Sequence, residues 1–426
     1  MAEMNVAEPA PAAPVAHVAR QHTFRRLLIS LGFASGALAA LYTGVGTVLL
    51  PQQIEDIDRP HKVAVLGLIA SVSAAFALVC NPIGGALSDR TRSRFGRRAP
   101  WLVCAPLALL TLLAFLGHIT TVLVMLFGWC AAQSLANLYQ APLLAVVPDR
   151  VPRARRGAAA AVTGVAMVLG GVAGVAIALQ FTAHVGWGYP ALGLLVAATA
   201  VSFVVSTSDA PSAEMPRAAR HARSAGARLT DFLSALGHRD FACVFASRAA
   251  SIMGFYLIIE YELYILTDYI RLPAGLRPAE GVAVLTAIAG VGALLAAPIA
   301  GPLSDRLDRR KPLVFASSAV AGAGCLLPVL SPTFGAVELY AAFAGIAFGT
   351  YLSVATAMVT LVLPRSADAA RDLGVLNIAN AGPQVLAPLL AALVIGHLGG
   401  YRVLFIIGGC GGIVGALAVL PVRSVR

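Results

Sequence analysis

The feature that most constrains this chain is a series of twelve long apolar segments that follow one another along almost its whole length. They lie near 27–51, 62–87, 101–118, 120–147, 157–180, 187–206, 241–268, 279–303, 312–330, 334–363, 373–396 and 400–421. Most reach the roughly 20 residues that an α-helix needs to cross a bilayer. Only 12% of the residues are charged, which leaves no room for a sizeable soluble domain. The sequence therefore predicts an all-α membrane protein of twelve transmembrane helices.

The basic residues indicate which side of the membrane each loop faces. Of the 31 lysines and arginines, 25 fall on one side of the predicted spans and five on the other, with Arg248 inside a span. Positive residues gather in cytoplasmic loops, so both termini are predicted to be cytoplasmic, at a cell inner membrane. The net charge of +11 follows from this topology, and no nucleic-acid partner is expected. Arg248 is expected to snorkel toward the cytoplasm or to meet a gate between halves.

Polar composition marks the ends and the middle of the chain. Residues 1–26 are predicted to be a disordered cytoplasmic tail, and 422–426 a short cytoplasmic tail. Residues 207–240, rich in Ala, Arg and Ser, are predicted to be a cytoplasmic linker. The linker separates two bundles of six helices, 27–206 and 241–421.

An internal repeat supports this division. Segment 81–90 matches segment 297–306, with Arg306 following Arg90 by 216 residues, and Pro148 recurs as Pro364 at the same offset. Parallel repeats of six helices are found in transporters. The chain resembles the major facilitator superfamily over nearly its whole length. That resemblance implies two six-helix halves that rock about a site at the membrane midplane.

The loop after the second span carries the most specific motif. Segment 85–100, GALSDRTRSRFGRRAP, is similar to the loop between helices 2 and 3 of that superfamily, in the form found in plant sucrose/proton symporters and the glycoside cation symporter group. Gly85 is expected to permit close helix contact, and Asp89 to accept hydrogen bonds from arginines of the other half as a latch. The predicted gating residues are Gly85, Asp89, Arg90, Arg94, Arg97, Arg98, Asp305 and Arg306. The alternative is a solvated basic loop that only follows the topology rule.

Two further stretches extend the resemblance to the sucrose symporter group. Segment 137–142, NLYQAP, is similar to its NxLQGP run, and segment 267–269, TDY, to its TDW or TDY. The resemblance implies symport of a sugar or glycoside with a proton or another monovalent cation, by a monomer in the lipid bilayer. Gln133 stands where that group has the aspartate that carries the proton. Coupling is therefore expected elsewhere in the chain.

Two carboxylates are predicted to lie at bilayer depth, Glu260 and Glu262 in the seventh span. Ionisable residues there are costly and usually functional. In a regular helix the two point in nearly opposite directions, with Glu260 on one stripe with Tyr256, Tyr264 and Thr267. We expect Glu260, ahead of Glu262, to be the site of cation coupling. The alternative is a carboxylate in a wetted outer vestibule that never titrates.

Uncharged polar side chains form similar stripes in the two halves. They recur at helical spacing in the fourth and eleventh spans, and the fourth-span stripe continues by the repeat into the tenth. The predicted substrate-binding residues are Tyr42, Gln133, Asn137, Gln140, Tyr256, Ser353, Thr356, Asn377, Asn380 and Gln384. Amides and hydroxyls donate and accept hydrogen bonds, which suits a neutral, hydroxyl-rich solute such as a sugar. The alternative is that they join helices to one another.

Motifs of catalysis are absent from the sequence. It has no nucleotide-binding loop, HExxH or GxSxG motif, and its six cysteines lie in apolar spans without metal-binding spacing. The sequence predicts a protein without cofactor or metal that is not an enzyme. The function that it favours is proton-coupled symport of a small polar solute. The alternatives are an exporter of a lipophilic metabolite or drug, and a non-transporting receptor or assembly factor on the same fold.

Overall fold

A computed structural model of the chain describes residues 14–207, 236–307, 310–362 and 369–422. Within these residues the chain is helical, apart from turns, short connections and one isolated pair of bridged residues, Arg271 and Thr333. Twelve helices are long and apolar enough to cross a membrane. The predicted all-α fold of twelve membrane helices is confirmed.

Six of these helices form the first half. They are α1 (Pro14–Gly44, continued by the π-helical turn Val45–Leu49 and by Leu50–Ile57), α2 (Lys62–Arg90), α3 (Ala99–Leu116), α4 (Val122–Arg150), α5 (Arg156–Leu179) and α6 (Val185–Ser206). The predicted tail, 1–26, overlaps α1, which begins at Pro14. Residues 1–13 lie outside the described part of the chain.

The second half repeats this plan. Its helices are α7 (Arg239–Ile259 and Glu262–Asp268), α8 (Pro278–Leu307), α9 (Arg310–Gly324 and Leu326–Leu330), α10 (Phe334–Val362), α11 (Ala369–His397) and α12 (Gly400–Val419). The seventh span was expected to be one regular helix, but it is interrupted between Ile259 and Glu262. Most of the predicted linker, 208–235, lies outside the described residues.

Each pair of packed helices in one half recurs in the other. α2 packs on α4 as α8 packs on α10, α3 on α6 as α9 on α12, and α1 on α5 as α7 on α11. Glycines permit the closest of these contacts: a Cβ at Gly174 in α5 would collide with the backbone of Ala40 in α1. The two halves meet through α2 against α11 and α5 against α8. These matched pairings are those of two similar six-helix halves.

The bundle has two faces. We call the face with segments 91–98 and 151–155 the terminal face, because the described ends of the chain lie there, and the opposite face with segments 58–61 and 269–277 the far face. The larger buried apolar core joins both halves, and a smaller core near the terminal face contains residues of the second half only.

Candidate functional site

An ion-pair cluster joins the two halves at the far face. Lys62, at the start of α2, is 9% exposed. Its Nζ lies 3.0 Å from Glu55 Oε1 and 2.9 Å from Asp268 Oδ1, at the end of α7. Asp268 also accepts a hydrogen bond from Tyr401 Oη at 2.8 Å. Because Lys62 and Asp268 belong to different halves, their ion pair is made only when the far face is closed.

Two fully buried tyrosines of α7 extend this closure into the membrane. Tyr264 Oη donates to Pro51 O at 2.8 Å. Tyr261 Oη donates to Pro388 O at 2.8 Å and lies 3.2 Å from Val63 O. We call Lys62, Asp268, Tyr261 and Tyr264 the far-face seal. It connects α7 to α1, α2 and α11.

Close contact between α2 and α11 completes the seal. A Cβ at Gly67 would lie 2.7 Å from both Ala392 Cβ and Tyr261 Oη, so a larger side chain does not fit there. Ser71 Oγ accepts a hydrogen bond from Leu389 N at 3.0 Å. Between described residues, the hydrogen bonds and ion pairs that join the two halves all lie in the far half of the bundle. The structure is therefore closed at the far face.

The interruption of α7 lies beside this seal and contains the predicted coupling residues. Glu260 ends the first segment and Glu262 begins the second. The seventh span is therefore not the regular helix on which the expectation of opposite faces rested. Glu260 lies close enough to Tyr256 and Tyr261 to interact electrostatically, and Glu262 to Tyr340. Among the described residues, neither glutamate has a hydrogen bond or ion pair.

The stripe predicted around Glu260 is divided by the same interruption. Tyr256 lines a cavity in the second half, whereas Tyr264 is buried in the far-face seal. Thr267 is exposed in a vestibule at the far face, which also contains Glu55 and Arg277. Helical periodicity placed these residues together, but the turn after Ile259 sends them into three different environments.

A cavity of about 380 Å³ lies within the second half, between α7, α9, α10, α11 and α12. It exists because α7 and α10 make little contact with each other. Four of the predicted binding residues line it: Tyr256, Asn377, Asn380 and Gln384. Within the described part of the chain, Tyr256, Asn377 and Gln384 have no hydrogen-bond partner for their side chains. Their polar groups are available to a solute.

Arg248 also lines this cavity and was not predicted to bind solute. Its Nε donates to Asn380 Oδ1, and its guanidinium lies 5.9 Å from the centre of the Tyr351 ring. No carboxylate of the described residues lies within ion-pairing distance of it. The expectation that Arg248 snorkels to the cytoplasm or meets the gate is not what the structure shows, because its side chain is held inside the second half.

The predicted residues of the first half form a hydrogen-bonded network. Asn137 is 7% exposed, and its Nδ2 donates to Gln133 O at 2.9 Å and to Tyr42 Oη at 3.4 Å. Tyr42 Oη donates to Gln140 Oε1 at 3.3 Å, and Asn137 Oδ1 accepts from Asn81 Nδ2 at 3.2 Å. The side chains of Tyr42, Asn137 and Gln140 bond to one another, whereas Gln133 takes part only through its backbone oxygen. A role in solute binding remains a prediction for Tyr42, Gln133, Asn137 and Gln140.

The two remaining predicted binding residues lie on α10. Ser353 Oγ donates to Thr350 O of its own helix at 3.0 Å, and its Cβ faces Gly301 of α8. Ser353 is absent from the lining of the cavity in the second half. The side chain of Thr356 lies outside the part of the chain that the structure describes.

The basic loop after α2 forms an ion-pair cluster within the first half. Arg98 is 5% exposed; its Nη2 lies 2.7 Å from Asp89 Oδ1 and 3.1 Å from Asp149 Oδ2, and its Nη1 donates to Ser88 Oγ. Arg97 Nη2 lies 2.7 Å from Asp149 Oδ1. The predicted pairing of Asp89 with arginines of the other half is not made in this conformation. Asp89 instead fixes loop 91–98 to the end of α4, together with Asp149.

The other predicted gating residues are more exposed. The close helix contact expected at Gly85 is made at Gly84, where a Cβ would lie 3.0 Å from Leu138 Cα, while Gly85 faces open space. Arg94 lies over the ring of Phe95 at 4.7 Å. Arg90 and Arg306 are exposed at the terminal face. The side chain of Asp305 lies outside the described part.

Three charged residues of these sites were missed by sequence reasoning. Lys62 was counted only as an outer-loop charge, and nothing in the local sequence pairs it with Asp268. Asp149 could have been predicted, because it directly follows Pro148, which the internal repeat matches to Pro364. Arg248 could also have been predicted, as the one basic residue inside a predicted span.

Comparison with known proteins places this geometry in a family. The family model of the Major Facilitator Superfamily matches residues 32–277 and 269–426. No protein of curated function matches the chain significantly. The sucrose symporter group is not singled out by these comparisons.

Solved structures share the fold at low sequence identity. A POT family transporter in complex with 5-aminolevulinic acid is 16% identical, with a TM-score of 0.70 over 92% of this chain and 95% of that one. The nucleoside transporter NupG (D323A mutant) is 14% identical, with a TM-score of 0.71 over 93% and 99%. A bacterial homolog of the human lysosomal transporter Spinster, inward-facing and occupied, is 14% identical, with a TM-score of 0.64 over 93% and 95%.

The family match covers nearly the whole chain, and the structure has the twelve membrane helices, paired in two matching halves, on which transport in this family depends. A membrane transporter, rather than an enzyme, is what these observations support. The chain belongs to the Major Facilitator Superfamily.

Proposed function

We propose that the chain is a secondary active transporter that couples the movement of a small polar solute to that of a proton by alternating access. The seal at the far face and the cavity in the second half support this proposal. A carrier of this type must close one face of its site while the other is open. We take the terminal face to be cytoplasmic, as the distribution of basic residues indicates, so the structure represents the state closed to the outside.

The observation that carries the proton coupling is the position of Glu260. It lies at the interruption of α7, directly before Tyr261 of the far-face seal and one helical turn after Tyr256 of the cavity. It has no cationic partner among the described residues. A carboxylate between the seal and the binding cavity can change its protonation state when the seal closes and when solute fills the cavity.

The charge on Glu260 provides the coupling mechanism. An unpaired negative charge is costly in the membrane interior, and closing the seal removes water from the neighbourhood of Glu260. A proton taken up from the outside removes this cost, so closure around the solute is favoured when Glu260 is protonated. Release of the proton to the cytoplasm completes the cycle.

The nature of the solute rests on the lining of the cavity. The unpartnered side chains of Tyr256, Asn377 and Gln384 offer hydrogen-bond donors and acceptors beside apolar and aromatic walls. They support a small polar solute, and a neutral sugar or glycoside is the identity that the sequence favours. Transporters of the same fold carry chemically different solutes.

The experiment is uptake by proteoliposomes that contain the purified chain, with an acidic exterior and a panel of labelled sugars, polyols and organic acids. We expect at least one compound to accumulate, and a protonophore to abolish its accumulation. Glu260→Gln should lose accumulation but retain exchange of labelled for unlabelled solute, because glutamine mimics the protonated side chain. Glu262→Gln is the matched control and should still accumulate solute.

Three outcomes would contradict the proposal in different ways. Accumulation that is lost in Glu262→Gln and kept in Glu260→Gln would assign coupling to the neighbouring carboxylate. Accumulation that is kept in both variants would indicate another coupling ion. Absence of uptake of every compound, with folded protein, would favour a non-transporting role.

A further inference from the structure

Arg248 is a cation that lines the cavity of the second half, and no carboxylate in the described part of the chain lies within ion-pairing distance of it. It lines the cavity from α7, and its hydrogen bond goes to the uncharged amide of Asn380. The nearest carboxylate on its own helix is Asp240, eight residues or about 12 Å toward the start of α7, and Glu260 lies twelve residues or about 18 Å further along. Arg248 is half-buried, and an ionisable residue at this depth in a membrane protein usually marks the path of a ligand or an ion.

The wall beyond Arg248 suits an apolar group. Phe255 of α7 and Phe348 of α10 stack across the gap between their helices, with ring centres 5.4 Å apart and planes at 13°. They lie about 10 Å from Arg248 along the helix axis. The opposite wall contains Gly408 and Gly412 of α12, which leave room for a flat body. The cavity thus has a cationic end and an aromatic end.

The size of the cavity limits what can fill both ends. About 380 Å³ is at the lower end of the range of small-molecule sites. A guanidinium binds a carboxylate through two parallel hydrogen bonds, which makes the carboxylate its most specific partner among organic groups. Asn377 and Gln384 also line the cavity, and because their side chains have no hydrogen-bond partner among the described residues, they can bind hydroxyl or amide groups of a ligand.

We infer that the transported solute is an organic monocarboxylate with an apolar or aromatic body, and that its carboxylate binds Arg248. This inference rests on the proposed transport function and makes its solute class specific, because a neutral sugar leaves Arg248 without a counter-charge. The aromatic end, formed by Phe255 and Phe348, receives the body of the solute. Asn380 holds the guanidinium in place.

The test compares acids with their uncharged amides. Binding to the full chain, in nanodiscs of zwitterionic phosphatidylcholine that exclude anionic lipid, is measured by calorimetry for benzoate, phenylacetate, 4-hydroxyphenylacetate, indole-3-acetate and hexanoate, each beside its amide, and for glucose. We expect at least one acid to bind at least tenfold more tightly than its amide. Arg248→Gln should reduce the ratio of acid affinity to amide affinity to about one, and Arg248→Lys should restore part of that ratio.

A variant is used only if the purified protein is monodisperse and helical. If Arg248→Gln does not meet this requirement, Arg248→Lys serves as the test, and its preference for the acid over the amide is expected to be smaller than that of the native protein. Equal binding of acids and amides by the native protein, preferential binding of glucose, or an acid preference that survives Arg248→Gln would overturn the inference.

Uptake measurements distinguish a failure of this inference from a failure of the proposed function. If one monocarboxylate anion moves with one proton, no net charge crosses the membrane, so a pH gradient should drive uptake while a potassium diffusion potential alone should not. If the membrane potential alone drives uptake and the solute is neutral, the proposal of proton-coupled transport is supported, but the inference that the solute is a carboxylate is wrong. If acids bind selectively but none is taken up, the carboxylate site is supported and the proposed transport function is wrong.

Discussion

At the scale of single residues, asparagine side chains of similar sequence context have different environments. Asn137 is buried, with both groups of its amide engaged by side chains or backbone of the first half. Asn377 lines the cavity of the second half and has no partner within the described part of the chain. Sequence periodicity placed both on polar stripes but contains no information on whether a stripe faces a cavity or another polar stripe.

Substitution of these two residues should therefore have opposite consequences. Asn377→Ala should weaken binding of the best compound from the acid panel about fivefold, which corresponds to about 1 kcal/mol for one neutral hydrogen bond, with little change in melting temperature. Asn137→Ala should lower the melting temperature, because it removes the buried amide of Asn137 and leaves the half-buried Asn81 without its acceptor. Calorimetry and thermal unfolding of the purified variants measure the two effects. A large loss of stability in Asn377→Ala, with unchanged binding, would show that it joins helices instead.

At the scale of elements, the interruption of α7 is the feature that decides the site. Ile259, Glu260 and Tyr261 include neither proline nor glycine, so nothing in the local sequence predicts a turn there. The turn is held by tertiary contacts, since Tyr261 Oη is fixed by Pro388 O of α11 and lies beside Val63 O of α2. Both acceptors are far from Tyr261 in sequence. Hydropathy therefore predicts the span but not its break.

Removing the Tyr261 hydroxyl should loosen the far face. Tyr261→Phe keeps the ring but loses the hydroxyl, whose single proton is shared between Pro388 O of its own half and Val63 O of the first half. The loss is worth about 1 kcal/mol, so the state open at the far face should be more populated. Electron spin resonance distances between labels at Arg59→Cys and Arg402→Cys, in a chain whose six native cysteines are replaced, report on this opening. Both positions are exposed.

Tyr269→Phe is the matched control for this measurement. Tyr269 Oη donates to Pro328 O within the second half at 2.9 Å, so its loss should not change how the halves meet. Equal shifts in Tyr261→Phe and Tyr269→Phe, or no shift in either, would show that the hydroxyl of Tyr261 does not hold the seal.

At the scale of the whole molecule, the sequence predicts the architecture better than the conformation. Twelve spans and two halves follow from hydropathy, charge and the repeat, because each is a local or periodic property. Which face is closed depends on pairs such as Lys62 and Asp268, which are distant in the chain and meet in one state only. The asymmetry of the halves, with a polar network in one and a cavity in the other, is likewise a property of packing.

The far-face ion pair allows a prediction at this scale. Lys62→Met leaves Asp268 without its cation and Glu55 with only Arg59, at 3.5 Å, whereas Asp268→Asn leaves Lys62 paired with Glu55 at 3.0 Å. Breaking a buried pair is costly mainly through the charge left unpaired. Lys62→Met should therefore open the far face more than Asp268→Asn, in the same distance measurement. A larger shift in Asp268→Asn would show that Tyr401 Oη, which Asp268 also binds, contributes more than the lysine.

The far-face seal also has a consequence for how the protein tolerates mutation. Its tyrosines donate to main-chain oxygens, those of Pro51 and Pro388. A main-chain acceptor survives most side-chain replacements, so the tyrosine bonds of the seal are encoded on α7, whereas its ion pair also requires Lys62 of α2. Random mutagenesis should therefore find variants with altered gating clustered at Tyr261 and Tyr264, with few at the positions that they bind. Clustering of altered-gating variants at the donor tyrosines, and not at their acceptors, would identify this gate from mutagenesis alone.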